Sequence, residues 1–146
     1  MCDGINNYGG FHWNGAICIQ RGMIDLLEKQ YNQDPLLTEL EIDLRRNIVL
    51  ICEHWKLYVQ KVDIFSKQYT IPNCAAILQE MNKILHCLEK VKNLILKYTV
   101  SNEKSILLRA IQLLETNTIS THDCLYSLRD AMNMVLWDEY NYKCLG

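Results

Sequence analysis

The stretch Leu44-Arg-Arg-Asn-Ile48-Val-Leu-Ile51-Cys-Glu-His-Trp55-Lys-Leu-Tyr58-Val-Gln-Lys-Val62-Asp-Ile-Phe65-Ser-Lys-Gln-Tyr69 decides the fold. Its apolar residues at 44, 48, 51, 55, 58, 62, 65 and 69 alternate steps of four and three without a break, the signature of one buried helix face. Upstream, Asp34-Pro35 offers an N-cap followed by a proline at the first helical position, where the missing N–H costs nothing. These signals predict one helix over 36–69, about 50 Å long at 1.5 Å per residue. Pro72 stops it, and Thr70 to Asn73 form a turn. A second register follows at Cys74, Ile77, Met81, Ile84, Leu88, Val91, Ile95 and Tyr98, predicting a helix over 74–99. So short a connection makes the two an antiparallel hairpin.

Outward from this hairpin the same reasoning continues. From Met23 to Leu145 there is no glycine, so the positive-φ positions that tight β-hairpins favour are missing and the body reads as helix. A first helix is expected over Gly15 to Tyr31, with Ala16, Ile19, Met23, Leu26 and Leu27 on its inner side and Gly22 weakening it. Ser101 is read as the cap of a fourth helix reaching Glu115, buried by Leu107, Ala110, Ile111 and Leu114. Thr116 to Ile119 read as a break, with Asn117 as a left-handed stop. Ser120 and Asp123 then resemble a capping pair for a fifth helix carrying Leu125, Leu128, Met132 and Val135. The expectation is an all-α fold, an antiparallel bundle of about five helices built on the long hairpin. One helical-bundle domain would span 15–146, behind a flexible Gly/Asn-rich arm over 1–14.

Composition narrows the function classes. The 146 residues carry 15 basic and 17 acidic side chains, a formal charge of −2, so no general attraction to nucleic acid or anionic membrane is expected. No unbroken apolar run is longer than the five residues from Ile48 to Cys52, far short of a bilayer span, and Met-Cys-Asp-Gly has none of the features of a signal peptide. Seven cysteines, an odd number lying mostly within helical patterns, read as reduced thiols. Together these place the chain inside the cell, in cytoplasm or nucleus.

Tests for chemistry return little. Cys52 with His54, His86 with Cys87, and His122 with Cys124 are one or two residues apart and diverge on a helix, whereas a shared metal needs ligands three or four apart. Cys52 beside Glu53 and His54 is not a nucleophilic pair for the same reason. Phosphate-cradling loops, the Gly-x-Ser-x-Gly elbow and the His-Glu-x-x-His motif are missing from the sequence. Lys83, Lys90, Lys97 and Lys104 recur every seven residues and read as a solvated face opposite the apolar seam. No enzymatic activity, cofactor or metal is expected.

The aromatic residues at the two ends stand out: Tyr8, Phe11 and Trp13 in the arm, and Tyr140 and Tyr142 beyond Trp137 in the tail. Aromatic anchors are enriched at interfaces, so Tyr8, Phe11, Trp13, Tyr140 and Tyr142 are the candidate partner-binding residues. The function expected is a non-enzymatic protein–protein interaction domain, an adaptor or subunit binding another protein, or a second copy of itself, through a helical face or groove. The alternative is a virus-encoded helical decoy that sequesters a short amphipathic helix of a host apoptosis or inflammatory signalling protein. Its basis is the size, the helicity and an Ile-, Asn-, Lys- and Tyr-rich composition typical of AT-rich coding.

Overall fold

The computed structural model describes the backbone of residues 7–8, 11–33 and 38–145, and the side chains of 15–33 and 41–135. Four helices dominate it: α1 (Trp13–Asn32), α2 (Thr38–Gln68), α3 (Cys74–Ser101) and α4 (Lys104–Leu145). Ahead of them, β1 (Asn7–Tyr8) pairs antiparallel with β2 (Phe11–His12), Asn7 opposite His12 and Tyr8 opposite Phe11. The Asp34-Pro35 start signal lies outside the described residues.

Each helix packs on two neighbours, α1 on α2 and α4, and α3 on α2 and α4. The partners run antiparallel. Trp55 of α2 donates its indole N–H to the Met81 carbonyl of α3 at 2.8 Å, while to either side of Met81 on α3 Ile77 and Cys87 meet Cys124 and Leu113 of α4 in reverse order. The result is an up-down-up-down bundle, which short connections favour. Its core holds Leu44, Ile48, Ile51, Trp55 and Val62 from α2, and Ile77, Met81, Ile84, Leu88, Val91, Ile95 and Tyr98 from α3. Tyr58 and Phe65 are partly buried against it. Both long registers therefore face inward as their spacing requires.

Two tight positions in the glycine-free body are filled by asparagine. Asn73 (φ 56°) precedes α3 and Asn102 (φ 57°) ends it, the Asn102 N–H returning to the Tyr98 carbonyl at 2.8 Å. Asparagine tolerates the left-handed region better than most residues with a side chain. Ser101 closes α3 instead of opening α4, its hydroxyl accepting from the Glu103 N–H at 3.4 Å.

The expected fifth helix does not exist as a separate element. α4 runs unbroken through Thr116–Ile119. Thr116, Thr118, Ser120 and Thr121 each donate their hydroxyl to the carbonyl four residues earlier, at 3.1, 2.8, 3.3 and 2.7 Å, and so satisfy themselves within the helix. Gln20 of α1 does the rest: its Nε2 donates to Thr121 Oγ1 at 2.9 Å, and its Oε1 accepts from Asn117 Nδ2 at 3.2 Å, with Thr118 Oγ1 3.5 Å away. All four side chains are buried. A polar run that would break an isolated helix is here an internal hydrogen-bonded layer between α1 and α4. One further expectation fails on α1, where Ile19 is 44% exposed and lies on the rim of the α1–α2 seam.

Candidate functional site

The aromatic residues proposed at the chain ends are placed by backbone only. Tyr8 and Phe11 face each other in the β1–β2 register, Trp13 is the first residue of α1, and Tyr140 and Tyr142 belong to the last turns of α4. Their side chains, and that of Trp137, lie outside the described residues.

The cysteines divide. Cys52, Cys74, Cys87 and Cys124 are free thiols, whereas Cys18 is disulfide-bonded. The expectation that all thiols are reduced is thereby corrected. Disulfide pairing requires two Cα atoms within about 6 Å, a tertiary property that spacing along one helix does not reveal. Burial pushes the Cys52 and Cys87 thiols above their ordinary range, and that of Cys124 up to about 11. A raised thiol holds little of the thiolate that nucleophilic attack requires. Cys52 and Cys124 are buried while His54 and His122 are exposed, so each Cys/His pair separates across its helix. The lysine line at 83, 90, 97 and 104 is exposed, with Lys83 held by Glu80 at 2.7 Å and Lys104 lying 5.9 Å above the Tyr31 ring.

Three surface features remain. The first is a groove of about 580 Å³ between the start of α3 and the middle of α4, with Ala76, Ile77, Cys124 and Ala131 among its lining and Glu80, Asp123 and Asp130 supplying carboxylates. Beside it on α4, His122 and Arg129 lie against the Tyr126 ring, both 4.3 Å away. The second is a groove of about 350 Å³ between α1 and α2, containing Ile19, Leu26, Leu50 and His54. Gly22 opens it, since a Cβ there would meet nothing within 4 Å.

The third is convex. Ile42, Val49, Leu57 and Ile64 of α2 are 56, 43, 52 and 58% exposed and lie along the side of the helix that points away from the core. Leu50, 48% exposed, joins this row to the α1–α2 groove. Exposed Arg46, Glu53 and Gln60 fall on the same side between them, and the charges are paired locally: Arg46 with Asp43 at 3.1 Å, Lys67 with Asp63 at 3.0 Å, and Lys56 with Glu53 at 2.9 Å. A reading that follows only the strongest apolar register misses these residues. Their signal is a second, weaker spacing of seven, eight and seven, half a turn away from the first.

Among the described residues no cluster of three metal-ligating side chains occurs, and no helix is long and apolar enough to cross a membrane. Comparison of the chain with models of known protein families, with curated proteins and with solved structures finds no match.

Proposed function

We propose that this chain is a non-enzymatic protein–protein interaction module, an adaptor or subunit that binds its partner through a helical face. The observation that carries the reading is the outer row of α2. Single exposed apolar residues are ordinary, but Ile42, Val49, Leu57 and Ile64 repeat along one side of one helix, among charges that are paired locally. Exposed apolar residues repeated along one helical side, with Arg46, Glu53 and Gln60 interleaved on the same side, give the mixed apolar and polar surface that non-obligate interfaces use. The experiment is affinity retention on the immobilised chain, comparing the wild type with Val49→Glu/Leu57→Glu. Both positions point away from the core, so helicity and melting temperature should hold while the retained protein is lost. An identical retained set would overturn the reading.

A second reading, a decoy that captures a short amphipathic helix, is favoured by the α3–α4 groove. Its small side chains admit a close helix, and Glu80, Asp123 and Asp130 suit a ligand whose apolar stripe is bordered by lysine or arginine. Asp123→Lys/Asp130→Lys should abolish capture of such a peptide in a fluorescence-anisotropy titration; unchanged binding would remove this reading.

The compartment turns on Cys18. A lasting disulfide needs an oxidising environment, and its presence weighs against the reducing interior expected from sequence. Thiol titration of native-source protein, denatured without reductant, separates the two: at most five of the seven cysteines react if the disulfide is present, and all seven if it is not.

A further inference from the structure

We infer that the second half of α1, from Gly22 to Asn32, is a flap that leaves the bundle as a unit while the first half stays docked. The two halves are tied down by different means. In the first, Cys18 is disulfide-bonded, and Gln20 is fastened to α4 by hydrogen bonds with Thr121 at 2.9 Å and Asn117 at 3.2 Å. The second half relies on the burial of Met23 and Leu27, while Asp25, Glu28, Lys29 and Asn32 face solvent. Gly22 stands at the boundary. Glycine is the weakest helix former after proline, and a Cβ at this position would meet nothing within 4 Å, so close packing does not require it there. Its consequence is a joint in the helix.

Two further features favour opening beyond that joint. The groove of about 350 Å³ runs beside it, with Gly22, Met23 and Leu26 on one wall and Asn47, Leu50 and Ile51 of α2 on the other, so this half is incompletely covered even when docked. At the far end Gln30, 0% exposed, donates its Nε2 to the Tyr98 hydroxyl of α3 at 3.1 Å, but its Oε1 has no hydrogen-bond partner among the described residues. A buried amide oxygen without a donor carries a desolvation penalty that water removes as soon as the segment opens. The docked state bears that cost and the open state does not. Tyr31 adds only the Lys104 ammonium 5.9 Å above its ring, a weak contact at the surface.

Met23, Leu27 and Gln30 stand four and three residues apart, on one inner side of the helix. Met23 belongs to the groove wall and Gln30 touches Tyr98, so lifting that side joins the two places into one cleft from Leu50 and Ile51 to Tyr98. The groove is then the closed form of a larger, mainly apolar cleft presented by a minor conformer.

Native-state hydrogen exchange of the full chain, followed by nuclear magnetic resonance with the disulfide intact and in rising urea, tests the inference. After correction for intrinsic rates, the amides of Leu26, Leu27 and Glu28 should exchange at least about tenfold faster than those of Ile19, Gln20 and Arg21. They should also share one free energy of opening, with a urea dependence above zero but below that of the slowest α3 amides. Gly22→Ala stiffens the joint and should slow exchange at 26–28 about fourfold. Gln30→Met/Tyr98→Phe removes the orphaned oxygen together with its amide's partner, and should slow it about tenfold or more. Equal exchange in the two halves overturns the flap. So does exchange at 26–28 that is independent of urea, the mark of single-residue fluctuation, or a rate that either variant leaves unchanged. If the double variant does not fold, Gly22→Ala alone decides.

Discussion

α3 and α4 pack against each other along the bundle, yet they are held in the core by different chemistry. In α3 the inner face is an unbroken seam from Ile77 to Tyr98, seven buried residues at helical spacing. In α4 the apolar stripe of Leu107, Ala110, Ile111 and Leu114 gives way to Asn117, Thr118 and Thr121 before resuming at Cys124, Leu125 and Leu128. The first helix is stabilised by apolar burial, which is non-directional and additive over area. The second depends at its centre on Gln20 arriving from α1 with the right geometry. A buried polar layer tolerates fewer arrangements than an apolar one, so it fixes the register of α1 on α4 as well as filling the space.

The comparison can be broken from either side. Leu88, fully buried in the α3 seam, should lose about 3 kcal/mol on conversion to Ala, measured by urea unfolding, because a methylene-lined cavity is left behind. Gln20→Ala should cost somewhat less, about 2 kcal/mol, chiefly by leaving Asn117 Nδ2 buried without its acceptor. The sharper test is coupling. Gln20→Leu and Asn117→Leu should be individually destabilising but together recover at least about 1 kcal/mol, since removing both partners leaves no orphan. Strict additivity would show that the layer is merely packing and that α3 and α4 do not differ in kind.

Smaller effects probe the outer parts of the same contrast. Gly22→Ala should stabilise the bundle by about 0.5–1 kcal/mol in the same urea assay, since the site is helical and a Cβ meets nothing. Loss of stability there would mean that the α1–α2 groove is tighter than its open space indicates. The buried thiols give a pH dependence. Cys124 rises from 9.0 to about 11 on folding, so its contribution is fully present below pH 9 and is lost as pH climbs toward 11, where the unfolded chain ionises more readily. Cys124→Ala should flatten that alkaline decline in melting temperature relative to wild type.

Much of this arrangement was legible residue by residue. The seams of α2 and α3 were correct because a three-four apolar spacing has one physical solution, a helix with that face covered. The break expected at Thr116 to Ile119 does not form, for a reason visible in Thr116 to Thr121. Threonine and asparagine have low helix propensity and often bond to local backbone at helix ends, so alone they read as a stop. Gln20, 97 residues before Asn117 in sequence, reverses that reading. The outer row of α2 was hidden differently. It shares a helix with a stronger register, and its exposure is defined only once the inner side is covered.

Sequence alone determined the helical class, the two long registers and the short turn between them, because each follows from contacts within a few residues. The placement of Asn117 in the core, the disulfide at Cys18 and the solvent-facing side of α2 were decided only by tertiary structure. Each of these depends on which distant segment lies alongside, and for a polar, thiol or apolar side chain alike it is the neighbour across the gap that fixes the sign of the free energy.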